Sequence, residues 1–320
     1  MHNLTRISTC VAAVALLLAG VGCQSQRSFA TPEEALAALQ SAAEREDSAE
    51  MRAIFGPRID ELRSPDPEQD EQDIAMFRHE LLSSAETETS PDGVVTVLVG
   101  DVRWPFAVPI VRHGDRWRFD TDAGIEELRS RRIGRNELRT IAACLTVLEA
   151  QEIYRQVDRD DDGVLEYADR MMSSPGRKDG LYWPSPGGLD PSPIGPALAR
   201  AATRTDEAGE RLPFNGYFYR AILRQGAGAP GGAMEYTSGG NLTGGWAALA
   251  WPAEYDETGV MTFMVGHAGV IYEADLGPDT TAAAAEIEAF DPSSAIWRPV
   301  VRVTDAAESP SESASDGEGT

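Results

Sequence analysis

Cysteine is scarce in this chain, with three in 320 residues. Cys10 directly precedes an apolar N-terminal run, Cys23 directly follows that run, and Cys144 lies far along the chain. Once the N-terminal segment is removed and Cys23 is modified, Cys144 has no partner, so no intramolecular disulfide is available. Because Cys144 lies in an apolar helical pattern, we predict a small core residue rather than a reactive thiol.

Histidine is also rare, and the familiar catalytic motifs are missing. His2 lies in the N-terminal segment, and His79, His113 and His267 are scattered outside any HExxH pattern. The sequence has no GxSxG motif and no Walker loop. Residues 226–231, GAGAPG, satisfy GxGxxG formally, but no helical pattern follows them, so a glycine loop between strands is predicted. The motifs therefore identify no catalytic residue.

Positive charge is in the minority, with 28 Lys and Arg against 52 Asp and Glu and a net charge of -24. Such a balance repels phosphate backbones and excludes a nucleic acid as the expected partner. Hydrophobic residues make up 42% of the chain, enough for a packed core. The abundant carboxylates keep open one enzymatic alternative, a hydrolase with a carboxylate acid/base pair.

The N-terminal segment has the pattern of an export signal. Residues 11–22, VAAVALLLAGVG, are too few to span a membrane and fit the apolar region of a signal peptide over residues 1–22. A glycine directly before Cys23 is typical of a bacterial lipobox, in which Cys23 is diacylated. The competing interpretation is ordinary cleavage after Ala30. The glutamine after Cys23 favours the outer membrane, so we expect a lipid-anchored, periplasm-facing envelope protein.

A polar tether, residues 23–30, leads to a predicted N-terminal domain over residues 31–125. Thr31 and Pro32 have the residue types of a helix start, and helical patterns continue towards residue 85. After Pro91-Asp92-Gly93 the pattern changes to alternating strands. Helices followed by a β-meander have the element order of nuclear-transport-factor-2-like folds, which serve both enzymes and binding modules.

A second domain is predicted over residues 126–300. A linker helix at 124–134 leads to a long helix at 137–157, whose apolar stripe repeats every three or four residues at Leu138, Ile141, Leu145 and Leu148. A Gly/Pro-rich stretch and four strand patterns follow, so the class is α+β, with a long helix packed on an antiparallel sheet. Residues 305–320 are mostly Ser, Glu, Asp, Ala and Gly and include no large apolar residue, which predicts a disordered acidic tail.

Residues 158–169, DRDDDGVLEYAD, directly follow the long helix and have the spacing of a calcium loop. Carboxylates stand at positions one, three, five, nine and twelve, glycine at six, and a backbone carbonyl is available at seven. The candidate ligands are Asp158, Asp160, Asp162, Val164, Glu166 and Asp169. The competing interpretation is a solvated acidic helix end. Two facts favour a bound cation over this interpretation. Like charges this close repel one another, and a run of negative charge is unfavourable at a helix C-terminus. The cation would be a single structural Ca²⁺.

Two other groups have both a structural and a binding interpretation. Tyr182 and Trp183 lie in the Gly/Pro-rich stretch, where aromatic side chains either pin a loop to the core or stack on a ligand such as a sugar ring. Arg131, Arg132 and Arg135 form a basic cluster that either binds an anion or pairs with nearby acids such as Glu126 and Glu127.

Several long motifs resemble the bacterial domain-of-unknown-function 2950 (DUF2950) family over residues 29–297. They are RRIGRNEL (131–138), AQEIY (150–154), DGLYWP (179–184), SPIGP (192–196), NGYFYRAILRQGAGAPGGAMEY (215–236), GGWAALAWPAEYDETGVMTFMV (244–265), GVIYEADLG (269–277) and FDP (290–292). The resemblance implies a cell-envelope, lipoprotein-like family without an assigned reaction. The element order of the second half is also similar to the globular part of pilins and pseudopilins, although a pilin's hydrophobic assembly helix is absent.

Together these patterns predict an envelope lipoprotein with a non-catalytic binding or assembly role. Its expected partners are the membrane, through the lipid anchor, and an envelope protein or glycan. The alternatives are a hydrolase of envelope polymers, which needs a deep pocket with two facing carboxylates and with Tyr182 or Trp183 at its rim, and a structural subunit related to pseudopilins.

Overall fold

The computed structural model describes residues 25–188, 190–201 and 212–300. The predicted signal peptide (1–22), the lipidation site Cys23 and the predicted tail (305–320) lie outside these residues. Helix accounts for 34% and strand for 22% of the described residues. The sheets are antiparallel, which confirms the α+β class. The chain divides into two compact units, Met1–Ile125 and Glu126–Thr320.

The first unit combines helices with one antiparallel sheet in the order β1-β2-β4-β5, with β3 also paired to β2. A short 3₁₀ turn at Ile59–Leu62 separates its second and third helices. The elements are α1 (Pro32–Glu44), α2 (Ser48–Phe55), α3 (Pro67–Ser83), β1 (Ala85–Thr89), β2 (Val95–Val99), β3 (Trp104–Pro105), β4 (Ile110–His113) and β5 (Arg116–Phe119).

Local sequence explains where the helices of this unit begin. The Thr31 side chain accepts a hydrogen bond from the backbone N–H of Glu34, and a proline occupies the first turn of α1. Asp47 and Asp66 cap α2 and α3 in the same way. The apolar faces of the helices and the sheet meet in one core, whose fully buried members include Leu39, Ile54, Leu81, Val97 and Phe119.

The second unit packs a long helix and short elements around a sheet in the order β12-β11-β10-β9-β6, beside a β7-β8 ribbon. All four strand patterns recognised in the sequence are confirmed. The elements are α4 (Thr121–Tyr154), which begins in the first unit, α5 (Pro196–Ala201), β6 (Tyr217–Ile222), β7 (Arg224–Gln225), β8 (Met234–Glu235), β9 (Ala247–Pro252), β10 (Met261–Gly266), β11 (Ile271–Asp275), α6 (Thr280–Glu286) and β12 (Arg298–Pro299).

Two expectations about the long helix were wrong. The predicted linker helix and long helix form one continuous element, α4, which ends at Tyr154. Leu138, expected on the buried stripe, is 70% exposed, and its companions Ile141, Leu145 and Leu148 are only partly buried. The buried face is turned from the leucine stripe and carries small, polar and aromatic residues: Thr140, Ala143, Cys144, Val147, Ala150, Gln151 and Tyr154.

Candidate metal centre

The acidic loop begins four residues after α4 ends, and Asp158 organises its backbone. One carboxylate oxygen of Asp158 accepts from the N–H of Asp161 at 2.9 Å and, at 3.3 Å, from that of Asp160. The other accepts from the N–H of Gly163 at 2.8 Å. These hydrogen bonds, that from Gly163 foremost, lower the pKa of Asp158. Asp158 is therefore a fixed, ionised group at the centre of the turn.

Two residues in left-handed conformation fold the loop back on Asp158. Asp161 has φ 61° and Gly163 has φ 85°. A Cβ on Gly163 would meet no atom within 4 Å, so glycine is required there by its conformation rather than by space. The result is that Asp158, Asp160 and Asp162 each present a carboxylate oxygen within 4.8 Å of the others.

Asp162 links this turn to a distant segment before β9. One of its oxygens accepts from the N–H of Val164 at 2.8 Å. The other accepts from the side-chain amide of Asn241, 79 residues away in the sequence. Sequence reasoning missed Asn241, since nothing in the spacing of the loop points to it.

Glu166 and Asp169, the later candidate ligands, have partners of their own outside the aspartate triplet. An oxygen of Glu166 accepts from the N–H of Leu242 at 2.9 Å. Desolvation raises the pKa of Glu166, and the negative charges of Asp160 and Asp162 add to this. Asp169 forms a two-point ion pair with Arg170 at 2.7 and 3.0 Å. Its participation in metal binding would require that pair to open.

The end of the loop is held to α4 by a buried glutamine. Gln151 donates to the carbonyl of Ala168 and accepts from the N–H of the same residue, both at 2.9 Å. The N–H of Tyr167 donates to the carbonyl of Leu242 at 3.0 Å. The residues from Val164 to Ala168 are irregular backbone, and no exiting helix like that of an EF-hand follows Asp169. Gln151 lies in the motif AQEIY, but that motif does not indicate a buried side chain or its partner Ala168.

Arg159, at the second loop position, inserts between two aromatic rings. Its guanidinium carbon lies 5.5 Å from the centroid of Tyr154 and 5.0 Å from that of Trp183. Trp183 is 4% exposed and donates its indole N–H to the carbonyl of Asp190 at 3.0 Å. Trp183 thus has little surface for stacking on a ligand, while Tyr182 is half-buried against the same core.

A pocket of about 340 Å³ lies beside the acidic loop and brings carboxylates and cations together. Burial raises the pKa of its Asp179, but hydrogen bonds from Ser174 and the charge of Arg170 outweigh burial, so the net shift is downward. It is lined by Tyr154, Arg159, Asp160, Glu166, Gly176, Arg177, Lys178 and Asp179. Glu166 also lines a second pocket of about 380 Å³, together with Leu165 and Tyr167.

The other sequence candidates lie apart from the loop. Arg131 pairs with Glu127 at 2.7 Å, as the interpretation of local ion pairs predicted, and Arg132 pairs with Glu257 at 2.7 Å. His267, after β10, meets the ring of Tyr236 edge-on at 5.4 Å.

The comparisons with known proteins identify a family and nothing narrower. No curated protein and no solved structure matches this chain, so the likeness to nuclear-transport-factor-2-like and pilin folds stays a prediction. Within the described ranges, none of the helices is both long and apolar enough to span a membrane. The model of a family of proteins of unknown function, DUF2950, matches residues 26–300. The chain therefore belongs to the DUF2950 family.

Proposed function

We propose that this protein is a lipid-anchored cell-envelope protein with a non-catalytic binding or assembly role, and that a single Ca²⁺ stabilises its second unit. The observation that carries the calcium proposal is the approach of Asp158, Asp160 and Asp162 within 4.8 Å. Carboxylate charges this close repel one another unless a cation bridges them. Hard oxygen ligands are those that Ca²⁺ prefers.

The remaining coordination positions would come from the rest of the loop. The carbonyl of Val164 follows Gly163 at the seventh position, and Glu166 stands at the ninth. A cation also relieves the neighbouring charges that oppose ionisation of Glu166. Asp169, engaged by Arg170, is the ligand that has to rearrange.

Thermal melts with calcium and with chelator test this proposal. Extracellular calcium modules bind at about 10⁻⁴–10⁻³ M. Binding only to the folded state stabilises it by about 1.4 kcal/mol at tenfold excess over Kd. The double variant Asp160→Asn with Asp162→Asn loses this gain and melts slightly higher without metal, because repulsion is relieved. A matched control, Glu149→Gln with Glu286→Gln, removes two exposed charges elsewhere and keeps the calcium response. Identical wild-type melts in calcium and in chelator contradict the proposal.

The anchor is tested independently of the metal. The supporting observation is the glycine before Cys23 after a short apolar run. Metabolic labelling with a palmitate analogue should tag the wild-type chain and leave Cys23→Ser untagged. Equal labelling of both chains would refute the lipoprotein proposal.

The binding or assembly role is supported by the absence of a recognised catalytic motif in the sequence and by membership of a family without an assigned reaction. Crosslinking of the anchored chain in intact envelopes tests it. Recovery of a defined envelope protein or glycan supports binding, whereas a ladder of self-crosslinked species supports a pseudopilin-like subunit. Recovery of the uncrosslinked chain alone contradicts both.

A hydrolase of envelope polymers is the second candidate, favoured by the pocket that contains Asp160, Glu166 and Asp179. Their surroundings shift the pKa of Glu166 upward and that of Asp179 downward, as a general acid and a carboxylate base require. Release of soluble fragments from dye-labelled peptidoglycan tests it. Activity that disappears in both Glu166→Gln and Asp179→Asn would replace the non-catalytic proposal; inactivity of the wild type removes this candidate.

A further inference from the structure

Five large apolar side chains among the described residues of the first unit are exposed to solvent: Ile74 and Met76 within α3, and Leu82, Val102 and Trp104. Val102 is 81% exposed, Trp104 is 59% exposed and Leu82 is 42% exposed. Val102 lies in the turn between β2 and β3, Trp104 begins β3, and Leu82 lies in the last turn of α3. Side chains of this kind mark interaction surfaces when they gather at one place.

Backbone pairing brings Leu82, Val102 and Trp104 to the same end of the sheet. Ala85, which begins β1, pairs with Val99, which ends β2. The N–H of Gly100 donates to the carbonyl of Ser84 at 2.8 Å, directly after α3. The end of α3 and the β2–β3 turn therefore adjoin. We name the surface formed by Leu82, Val102 and Trp104 the apolar end.

The N-terminal chain leads towards this apolar end. Phe29 pairs antiparallel with Trp117 in β5, and the Gln26 side chain donates to the carbonyl of Phe119 at 2.6 Å, so tracing back from Phe29 follows β5 towards its C-terminus. Strands β5 and β2 are both antiparallel to β4 and run in the same direction. Ile110 pairs with both Phe119 and Val95, so Gln26 lies near the level at which β2 starts, and the chain traced back from Phe29 to Gln26 runs in the direction in which β2 ends.

The length of chain between the anchor and the folded unit is short. Gln26 is held by hydrogen bonds to the carbonyls of Ile54 and Phe119, at 3.0 and 2.6 Å. Only residues 24 and 25 separate it from Cys23. Three residue steps span at most about 11 Å. A diacylated Cys23 would therefore hold Gln26, and with it this unit, within about 11 Å of the lipid headgroups.

We propose that the apolar end contacts the surface of the bilayer in which Cys23 is anchored, an inference that rests on the lipid anchor proposed above. Tryptophan favours the headgroup region, and valine and leucine favour the acyl boundary. The preferred surface is zwitterionic, because Asp101 lies beside the turn and Arg103 is neutralised by Glu86 and Glu88.

Quenching of tryptophan by brominated lipid tests this contact. The full chain, produced with its own N-terminal segment, is reconstituted in phosphatidylcholine vesicles with and without brominated acyl chains. Part of the wild-type emission should be quenched, and Trp104→Phe should lose that part. Trp297→Phe, which removes a partly buried tryptophan of the second unit, should remain quenched. Unquenched wild type, or equal quenching in Trp104→Phe, overturns the inference.

Charged substitutions and the intact mass of the chain test the bilayer contact and the lipid anchor separately. Val102→Glu should reduce quenching, whereas Leu138→Glu, at another exposed apolar residue, should not. Equal quenching in Val102→Glu and wild type also overturns the inference. The mass of the intact chain, measured on the same sample, shows whether Cys23 is acylated. An acylated chain without quenching overturns the bilayer contact and leaves the anchor standing; a chain without acyl groups overturns both.

Discussion

The junction between α4 and the acidic loop depends on Gln151, so Gln151→Leu should destabilise the second unit. Gln151 is buried and satisfies both backbone groups of Ala168, each at 2.9 Å. Leucine fills a similar volume but leaves a buried N–H and a buried C=O without partners. Each such group costs about 1–3 kcal/mol, or about 2–6 kcal/mol together. Because the added apolar burial offsets part of this, we expect a net loss of about 2–4 kcal/mol.

Urea unfolding followed by tryptophan fluorescence measures this loss. Four of the six tryptophans, Trp183, Trp246, Trp251 and Trp297, belong to the second unit and report mainly on it. The midpoint should fall with little change in slope. Gln156→Leu, at an exposed residue of the same type just beyond α4, is the matched control and should stay within about 0.5 kcal/mol of wild type. A loss below about 1 kcal/mol in Gln151→Leu would show that water or a rearranged loop satisfies Ala168.

Three further predictions concern single side chains. Burial raises the pKa of Cys144 to about 12, so peptide mapping should find Cys144 unmodified by iodoacetamide until the protein is unfolded; modification of the native chain would contradict this. The pKa of Glu166 is raised above its ordinary 4.5, so the folded state binds that proton more tightly and Glu166 becomes less destabilising as pH falls through its folded pKa. In chelator, the melting advantage of Glu166→Gln over wild type should therefore shrink as the pH is lowered from neutral towards 4.5; a constant advantage would refute the shift. Leu145→Ala should lie at the lower end of the usual range of about 2–5 kcal/mol, because Leu145 is partly buried, and urea midpoints showing a loss below about 1 kcal/mol would mean that it does not pack on the core.

Much of the fold could be predicted because local patterns determine it. The strands of the second sheet are bounded by glycine, proline and turn residues, and their apolar runs are the length of a strand. The buried face of α4 could not be predicted from hydrophobicity. Gln151 is buried because Ala168 satisfies it, and buried Thr140 accepts from the hydroxyl of Tyr219 at 3.4 Å. These partners come from other elements, so the spacing of the leucines could not predict which face of α4 is buried. Leu138, on the predicted face, is exposed.

In the candidate site, too, local spacing predicts some residues and tertiary packing supplies the others. The aspartates and Gly163 follow from spacing, because a loop of this length determines its own turn. Asn241 and Leu242 hold Asp162 and Glu166, but they lie 79 and 76 residues away from them in the sequence. Loop spacing cannot indicate a partner supplied by tertiary packing. Asp169 and Arg170 are neighbours in the sequence, so their ion pair could have been predicted as an alternative to metal binding by Asp169.

The surroundings of the loop favour a static structural role for a bound cation over a switch. A sensor EF-hand opens by moving its exiting helix, and here the end of the loop is not helical and is held by Gln151 and Leu242. On the other side, Arg159 fixes the loop between Tyr154 and Trp183. A cation on the aspartates would therefore cross-link the end of α4, the segment before β9 and the Gly/Pro-rich stretch. Since these contacts are made by the chain itself, binding should raise the melting temperature of the unit without changing its secondary structure, and an unchanged far-UV circular dichroism spectrum on calcium addition is the expected result.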